Sequence, residues 1–312
     1  MSIPKRRALL FSGQGAQKVG MGADLFDRSP SAHALYELAD NRLGWPLSDY
    51  SFRGPVETLT ETRVCQPALY VHGLAILAAF QDLTAHALRF EATAGLSLGE
   101  YTAHAAAGSF TFQAGLELVK ERGRLMQEAC DATVGTMITL LGATPEQARE
   151  IAAQCNVDVA NLNCPGQIVL SGGIKEMEGV AAVAKEKGVR KVIPLNVAGA
   201  YHSRLMAAAA TELAHYLTMA DINAPSVPVV ANYTADITDG ADQILRALEA
   251  QVCGSVRWEE SVRRLIGLGF TDFVECGPGG VIAGLVRRID PAVSCLSLES
   301  YDDLVKHADA LV

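Results

Sequence analysis

The sequence predicts an α/β protein with a parallel sheet, and three observations predict it. Short runs of small and apolar residues at 7–12, 92–95 and 272–276 each end in a glycine-bearing turn, and the last two lead straight into a helical stretch. The 312 residues are 49% hydrophobic and 20% charged, an ordinary globular composition that excludes a disordered, collagen-like or coiled-coil chain. The middle third departs from the strand–helix alternation and reads as a unit of its own.

The elements follow in order. Residues 7–12 (RALLFS) read as a short buried strand, with the turn Gly13-Gln14-Gly15-Ala16-Gln17 after it. Residues 31–43 have helical spacing, and so do 66–80, where Pro67 stands at a helix-start position. Residues 92–95 (ATAG) form a strand of small residues, followed by an Ala-rich helix over 98–107 and another over 113–130. Residues 135–142 read as a strand, and Thr144 and Pro145 start a helix as N-cap and first position. Strands at 157–163 and 167–172 are joined by Pro165-Gly166, then come a helix over 174–188 and a strand at 190–196. This β-α-β-β-α-β order is the ferredoxin-like pattern, so 132–199 is expected to be an inserted subdomain between two pieces of the core, 1–131 and 200–312. Alternation then resumes: a helix at 203–220, a strand at 227–232, helices at 241–252 and 257–268, a strand at 272–276 and a helix at 281–289.

Lys and Arg number 26 against 35 Asp and Glu, a net charge of −9, which argues against nucleic-acid binding. Seven scattered cysteines with no C-x-x-C spacing argue against a zinc site or a disulfide framework and fit a reducing compartment. The basic start MSIPKRR has no apolar h-region behind it, and no apolar run is read as long enough to span a bilayer. A cytoplasmic protein with no membrane role is expected.

Gly95-Leu96-Ser97-Leu98-Gly99 matches G-x-S-x-G, the nucleophile elbow. A turn this tight crowds the residues two before and two after the serine, so both are glycine. Strand before and helix after supply the context that separates this motif from a chance glycine pair. The N–H of Leu98, at the start of the helix, is available as an oxyanion donor. The turn Gly13-Gln14-Gly15 is the candidate source of a second. Its other reading, a phosphate loop, is weak, because G-K-[ST] is missing and Lys18 breaks G-x-G-x-x-G. A serine needs a base. Of seven histidines, most lie on apparent helix faces, where a packed or solvated role is the default; His202 lies in a strand-to-helix turn, where catalytic groups tend to sit.

At this point the residues match a family. The chain resembles the malonyl-CoA:acyl carrier protein transacylases through FSGQGAQKVGMG (11–22), CQPAL (65–69), AGLSLGEYTA (94–103), ERGRLMQ (121–127), NLNCPGQIVLSG (161–172), AYHSRLM (200–206) and VECGPGGVIAGLVRRI (274–289). The resemblance implies an α/β-hydrolase-like core with an inserted ferredoxin-like subdomain. It implies Ser97 as nucleophile, His202 as base, and Gln14 and Leu98 as backbone oxyanion donors. It implies that Arg122 pairs bidentately with the malonyl carboxylate, although the charged neighbours Lys120, Glu121 and Arg124 would by themselves read as a solvated helix face. Gln66 and Gln251 are implied as polar residues lining the site, with the Gln251 carbonyl orienting the histidine. Asn161 and Asn163 match positions near the cofactor entrance.

The resemblance implies malonyl-CoA as substrate, acyl carrier protein as partner, and no metal or bound redox cofactor. A monomer is expected. Leu96 departs from the many relatives that carry histidine before the nucleophile, which leaves acyl preference open. The bulk of Tyr201 favours malonyl over methylmalonyl. A thioesterase or esterase on the same core is the alternative enzyme, and no acid is evident behind His202 to support it. A silent carrier-protein docking module is a third reading, opposed by the intact Ser97, His202 and Arg122 set.

Overall fold

The computed structural model describes residues 6–85 and 87–312; the first five residues of the basic start and His86 lie outside that set. Ten strands occur among the described residues: β1 (Arg6–Phe11), β2 (Ala92–Gly95), β3 (Gly135–Leu141), β4 (Asp158–Cys164), β5 (Gln167–Gly173), β6 (Lys191–Pro194), β7 (Val229–Val230), β8 (Ile237–Thr238), β9 (Phe270–Cys276) and β10 (Ser294–Leu298). They form two sheets.

The first sheet has the order β10-β9-β1-β2-β7-β8. The pairs from β10 to β7 are parallel, and the edge pair β7–β8 is antiparallel. A six-residue link, 231–236, is too short for a parallel crossover, so the chain turns back on itself. Side chains alternate across β1: Leu9 and Phe11 enter one hydrophobic cluster with the helices Thr62–Leu83 and Phe112–Ala132. Ala8 and Leu10 enter another with Trp258–Gly267 and Val281–Ile289. Burial on both faces is why these strands are short unbroken apolar runs. In the register, Phe11 lies beside both Gly95 and Cys276. The turns that leave β1, β2 and β9 therefore emerge at one edge, outside the carboxyl ends of the strands, where open α/β sheets carry their sites.

The second sheet has the order β4-β5-β3-β6 and is antiparallel throughout. The helices Pro145–Cys155 and Val180–Glu186 pack on it around a separate cluster that includes Leu140, Ile151, Leu170 and Val180. Residues 190–196 and 7–12 thus contribute to different sheets. The second sheet is tied to the core along β4. The N–H of Leu162 donates to Val256 O at 2.9 Å, and the N–H of Val256 donates to Ala160 O at 2.8 Å.

Several expectations are corrected. Pro67 does not start its helix: the helix begins at Thr62, and Pro67 sits inside it without an N–H to offer Arg63 O. That helix is, by length and composition, apolar enough to cross a membrane, contrary to the sequence reading. Its apolar faces are instead buried inside the protein, against Phe112–Ala132 above all. The two helices come close at Gly123, where a Cβ would lie 2.9 Å from Thr62 O. The helix expected over 174–188 is broken into Ile174–Met177 and Val180–Glu186. The helix expected from 203 opens with a 3-10 turn, Arg204–Met206. The strand expected at 227–232 pairs only at Val229–Val230. The helix Tyr301–Leu311 was not anticipated, though its capping box, Ser300 with Asp303, stands in the sequence.

His104 illustrates what this burial costs. Its Nδ1 meets Ser109 Oγ at 3.0 Å, its Nε2 has no partner among the described residues, and burial pulls its pKa down to about 3. Below the ordinary value near 6.5 the unfolded chain takes up a proton that the folded one refuses, so stability is lost as pH falls from there towards about 3. His104→Phe is expected to show a shallower loss of unfolding free energy than the parent between pH 7 and pH 5. Urea titrations at the two pH values check it, and equal losses would refute it.

Candidate active site

The elbow is held by contact with the neighbouring strand. Ser97 has φ of 54°, a left-handed conformation that side-chain-bearing residues rarely adopt. Leu96 N–H donates to Phe11 O at 3.0 Å, which fixes the turn against the end of β1. A Cβ on Gly95 would lie 1.9 Å from Gly99 O, and one on Gly99 would lie 2.1 Å from Phe11 O, so neither position has room for a side chain. Asn232, from the turn after β7, closes the elbow from behind. Its Oδ1 accepts from Ser97 N–H at 2.5 Å, and its Nδ2 donates to Gly95 O at 2.7 Å.

His202 also has positive φ, 53°, in the turn before Arg204–Met206. Its Nε2 meets Ser97 Oγ at 2.7 Å. Its Nδ1 meets the backbone carbonyl of Gln251 at 2.8 Å. A carbonyl only accepts, so the proton sits on Nδ1 and Nε2 is left to accept from the serine. Gln251 lies in the last turn of Ala241–Cys253, where helix carbonyls lack an intrahelical partner. Burial and the charge of Arg122 pull His202 down to about 4, so the imidazole is neutral at pH 7.

Arg122 projects from Phe112–Ala132 and is 1% exposed. Its Nη1 donates to Gln66 Oε1 at 2.7 Å, and its Nη2 donates to Ser97 Oγ at 3.1 Å and Gln251 Oε1 at 3.0 Å. Its guanidinium lies over the Tyr101 ring, 5.5 Å from the centroid. The charged neighbours that suggested a solvated face satisfy one another elsewhere: Arg124 pairs with Glu121 and Glu128, and Lys120 with Glu117. Arg122 forms no ion pair among the described residues, and its Nε has no partner.

Ser97, His202, Arg122 and Gln66 open onto a cleft of about 510 Å³ between the first sheet's turns and the second sheet. The second sheet contributes Asn161 and Asn163 to the wall; Asn163 Oδ1 is buried without a partner among the described residues. Leu96 lines the same cleft. The N–H groups of Gln14 and Leu98 carry no hydrogen bond to another described residue, as oxyanion donors require. Gln251 does not line the cleft, contrary to the expectation; it lies behind Ser97 and Arg122 and is fully buried. No group of three or more His, Cys, Asp or Glu suited to a metal occurs among the described residues.

Two contributors, Glu100 and Asn232, were missed, and Tyr201, singled out in the sequence for its bulk, also makes a polar link. Glu100, in the first turn of Gly99–Ala106, is fully buried; its Oε2 accepts from Gln251 Nε2 at 2.6 Å and Asn232 N–H at 2.9 Å, and burial pushes it up to about 7. An acid in a first turn reads as a complement to the helix dipole, which hides this role. Asn232 carries no local signal at all. The Tyr201 hydroxyl meets Thr62 Oγ1 at 2.5 Å and Gln14 Nε2 at 3.4 Å, linking the turns on either side of the cleft.

This geometry, an elbow serine on a base with a buried cation beside it, is that of an acyl-transferring enzyme. The acyl transferase domain model matches residues 8–287. The malonyl CoA-acyl carrier protein transacylase of Bacillus subtilis (strain 168) is 40% identical over 296 residues, 93% of this chain and 92% of that protein. The solved malonyl CoA-acyl carrier protein transacylase from Coxiella burnetii superposes with a TM-score of 0.94 at 32% identity, covering 99% of this chain and 98% of the other. A malonyl-transacylase solved in complex with its type II polyketide acyl carrier protein gives 0.91 at 33% identity, covering 98% and 99%. The chain belongs to the acyl transferase family, among the malonyl CoA-acyl carrier protein transacylases.

Because the atom a new Cβ would strike is a backbone carbonyl, Gly99→Ala is expected to cost about 3 kcal/mol, the upper end of overpacking penalties, and to misplace Ser97. Chemical denaturation checks it; a loss below about 1 kcal/mol would mean that the elbow relaxes freely.

Proposed function

We propose that the protein transfers a malonyl group from malonyl-CoA to the phosphopantetheine thiol of acyl carrier protein. His202 Nε2 takes the Ser97 proton as Oγ attacks the thioester carbonyl. The Gln14 and Leu98 N–H groups hold the oxyanion. The C–S bond breaks, and the departing sulfur takes the proton from the imidazolium, leaving malonyl-Ser97. The carrier-protein thiol then gives its proton to Nε2 and attacks the ester, and the proton returns to Oγ as the C–O bond breaks.

The observation that carries this reading is the Arg122 guanidinium, buried, unpaired with any carboxylate among the described residues and 3.1 Å from Ser97 Oγ. A planar fork in that position is matched to the carboxylate of a malonyl group. The pairing also bears on the base. Arg122 is one of the causes holding His202 low, so a carboxylate that neutralises it makes the imidazole more basic only when the correct acid is bound. We assign Gln66 to holding Arg122. Asn161 and Asn163 offer amides to the pantetheine arm; both line the cleft, and Asn163 Oδ1 has no partner. The strand order of 132–199 supports a ferredoxin-like subdomain forming that wall. We take the protein to be a cytoplasmic monomer that needs no metal or bound cofactor, serving fatty-acid or polyketide synthesis.

On mixing with malonyl-CoA, the intact protein is expected to gain one malonyl group in its mass, and holo acyl carrier protein is expected to remove it. Ser97→Ala should gain none. Loss of the group to water at the same rate with and without carrier protein would favour a hydrolase.

Arg122→Ala is expected to lower malonyl transfer by about 100-fold or more while acetyl transfer holds or rises. Malonyl loses its partner, whereas acetyl no longer faces an unpaired buried cation, a penalty of about 2–5 kcal/mol. Measuring kcat/KM for both thioesters decides it, and equal losses would assign Arg122 a structural role.

A further inference from the structure

Glu100 reaches neither the cleft nor the reacting atoms, yet it is bonded to Gln251, one of the residues that hold Arg122 in place. The Gln251 side chain is the intermediary. Its Oε1 accepts from Arg122 Nη2 at 3.0 Å, and its Nε2 donates to Ser97 O at 3.0 Å and to Glu100 Oε2 at 2.6 Å. An amide has two orientations that fill nearly the same space, so the neighbours decide which one holds. A guanidinium only donates. A carboxylate oxygen at the other end accepts. Turning the amide over would set its NH2 against Arg122 and its oxygen against Glu100 and Ser97 O, leaving buried donors facing donors and acceptors facing acceptors.

We infer that Glu100 is a positioning residue for substrate selection: by fixing the Gln251 amide with its oxygen towards Arg122, it holds the guanidinium in the orientation that receives the malonyl carboxylate. The inference rests on the proposed role of Arg122. The surroundings of the carboxyl fit it. Both accepted bonds fall on Oε2, from Gln251 and from the Asn232 N–H, while Oε1 is buried without a partner among the described residues. What the position uses is an accepting oxygen at one point.

The second of those bonds gives Glu100 a contact with the elbow, since Asn232 also clamps Ser97 and Gly95. The two roles have different consequences. A disturbed elbow displaces Ser97 and slows every acyl donor alike. A released Gln251 amide frees Arg122 and harms the donor that carries a carboxylate far more than the one that does not, even though the amide also touches Ser97 O. The ratio of malonyl to acetyl transfer therefore separates them.

The test compares kcat/KM for acyl-enzyme formation from malonyl-CoA and from acetyl-CoA in the full-length parent, Arg122→Ala, Glu100→Met and Glu100→Gln. Glu100→Met keeps the length and removes the acceptor; it is expected to lower the malonyl-to-acetyl ratio at least about 10-fold, the loss anticipated for a hydrogen bond to a charged group. Glu100→Gln is expected to stay within about 3-fold of the parent, because its amide oxygen can accept both bonds with its NH2 where Oε1 had no partner. Equal losses for the two thioesters in Glu100→Met would make the residue structural and overturn the inference. A Glu100→Gln ratio as low as that of Glu100→Met would put the effect in the charge of the carboxylate and overturn it too. If Arg122→Ala collapses the ratio while Glu100→Met leaves it unmoved, only the present inference fails. If Arg122→Ala leaves the ratio unmoved, both readings fail. Should Glu100→Met not fold, Gln251→Met breaks the same relay from its other side, and an unchanged ratio there refutes the relay.

Discussion

A guanidinium withdrawn from water and paired with no carboxylate among the described residues is the constraint around which this site is organised. Burying a charge costs several kcal/mol unless it is compensated. Here the compensation for Arg122 comes from neutral oxygens: the amides of Gln66 and Gln251 and the hydroxyl of Ser97. The nearest acid, Glu100, acts at one remove, through the Gln251 amide. A direct ion pair would have satisfied the cation permanently and left nothing for a ligand. The neutral cage keeps the side chain ordered and its charge available, and that difference separates a structural arginine from one suited to an anionic substrate.

The same residues bind the cation to the chemistry. Gln251 contributes its carbonyl to His202 and its amide to Arg122, Ser97 O and Glu100, so one helix end orients the base and the cation together. A carbonyl rather than a carboxylate behind the histidine fixes the tautomer without adding a negative charge. With Arg122 close by, the imidazole remains neutral and ready to accept a proton at pH 7. Ser97 and His202 both hold positive φ, and each conformation persists because fixed contacts surround it: the Phe11 and Gly99 carbonyls at the elbow, the Gln251 carbonyl at the histidine.

The cleft lies where the two sheets meet along β4, with Ala160 and Val169 of the second sheet joining the cluster that holds Leu9 and Phe11 of the first. Backbone bonds from Val256 to Ala160 and Leu162 make β4 continuous with the core, and the residues between and beyond them, Asn161 and Asn163, are carried to the cleft wall. Register shifts in β4 between Val159 and Asn161 and between Leu162 and Cys164 accompany that arrangement.

Much of this was legible in the chain. Tight-turn sterics act within five residues, so Gly95, Ser97 and Gly99 announced the elbow, and the setting of His202 in a turn between elements marked it among seven histidines. Hydrophobic period and capping residues gave most helices and the two-sheet division, because those signals are also local. The sequence determined which residues carry reactive groups and which turns present them. It did not determine that Arg122 turns inward while Lys120 and Arg124 remain near the surface, that Pro67 lies within a helix, or that Glu100 and Asn232 stand behind the nucleophile. Those depend on side chains that converge from positions up to 154 residues apart, as Gln251 and Ser97 do, and only the tertiary packing decides which of them meet. Local sterics act along the chain, whereas compensation of a buried charge requires donors and acceptors from several elements at one point in space.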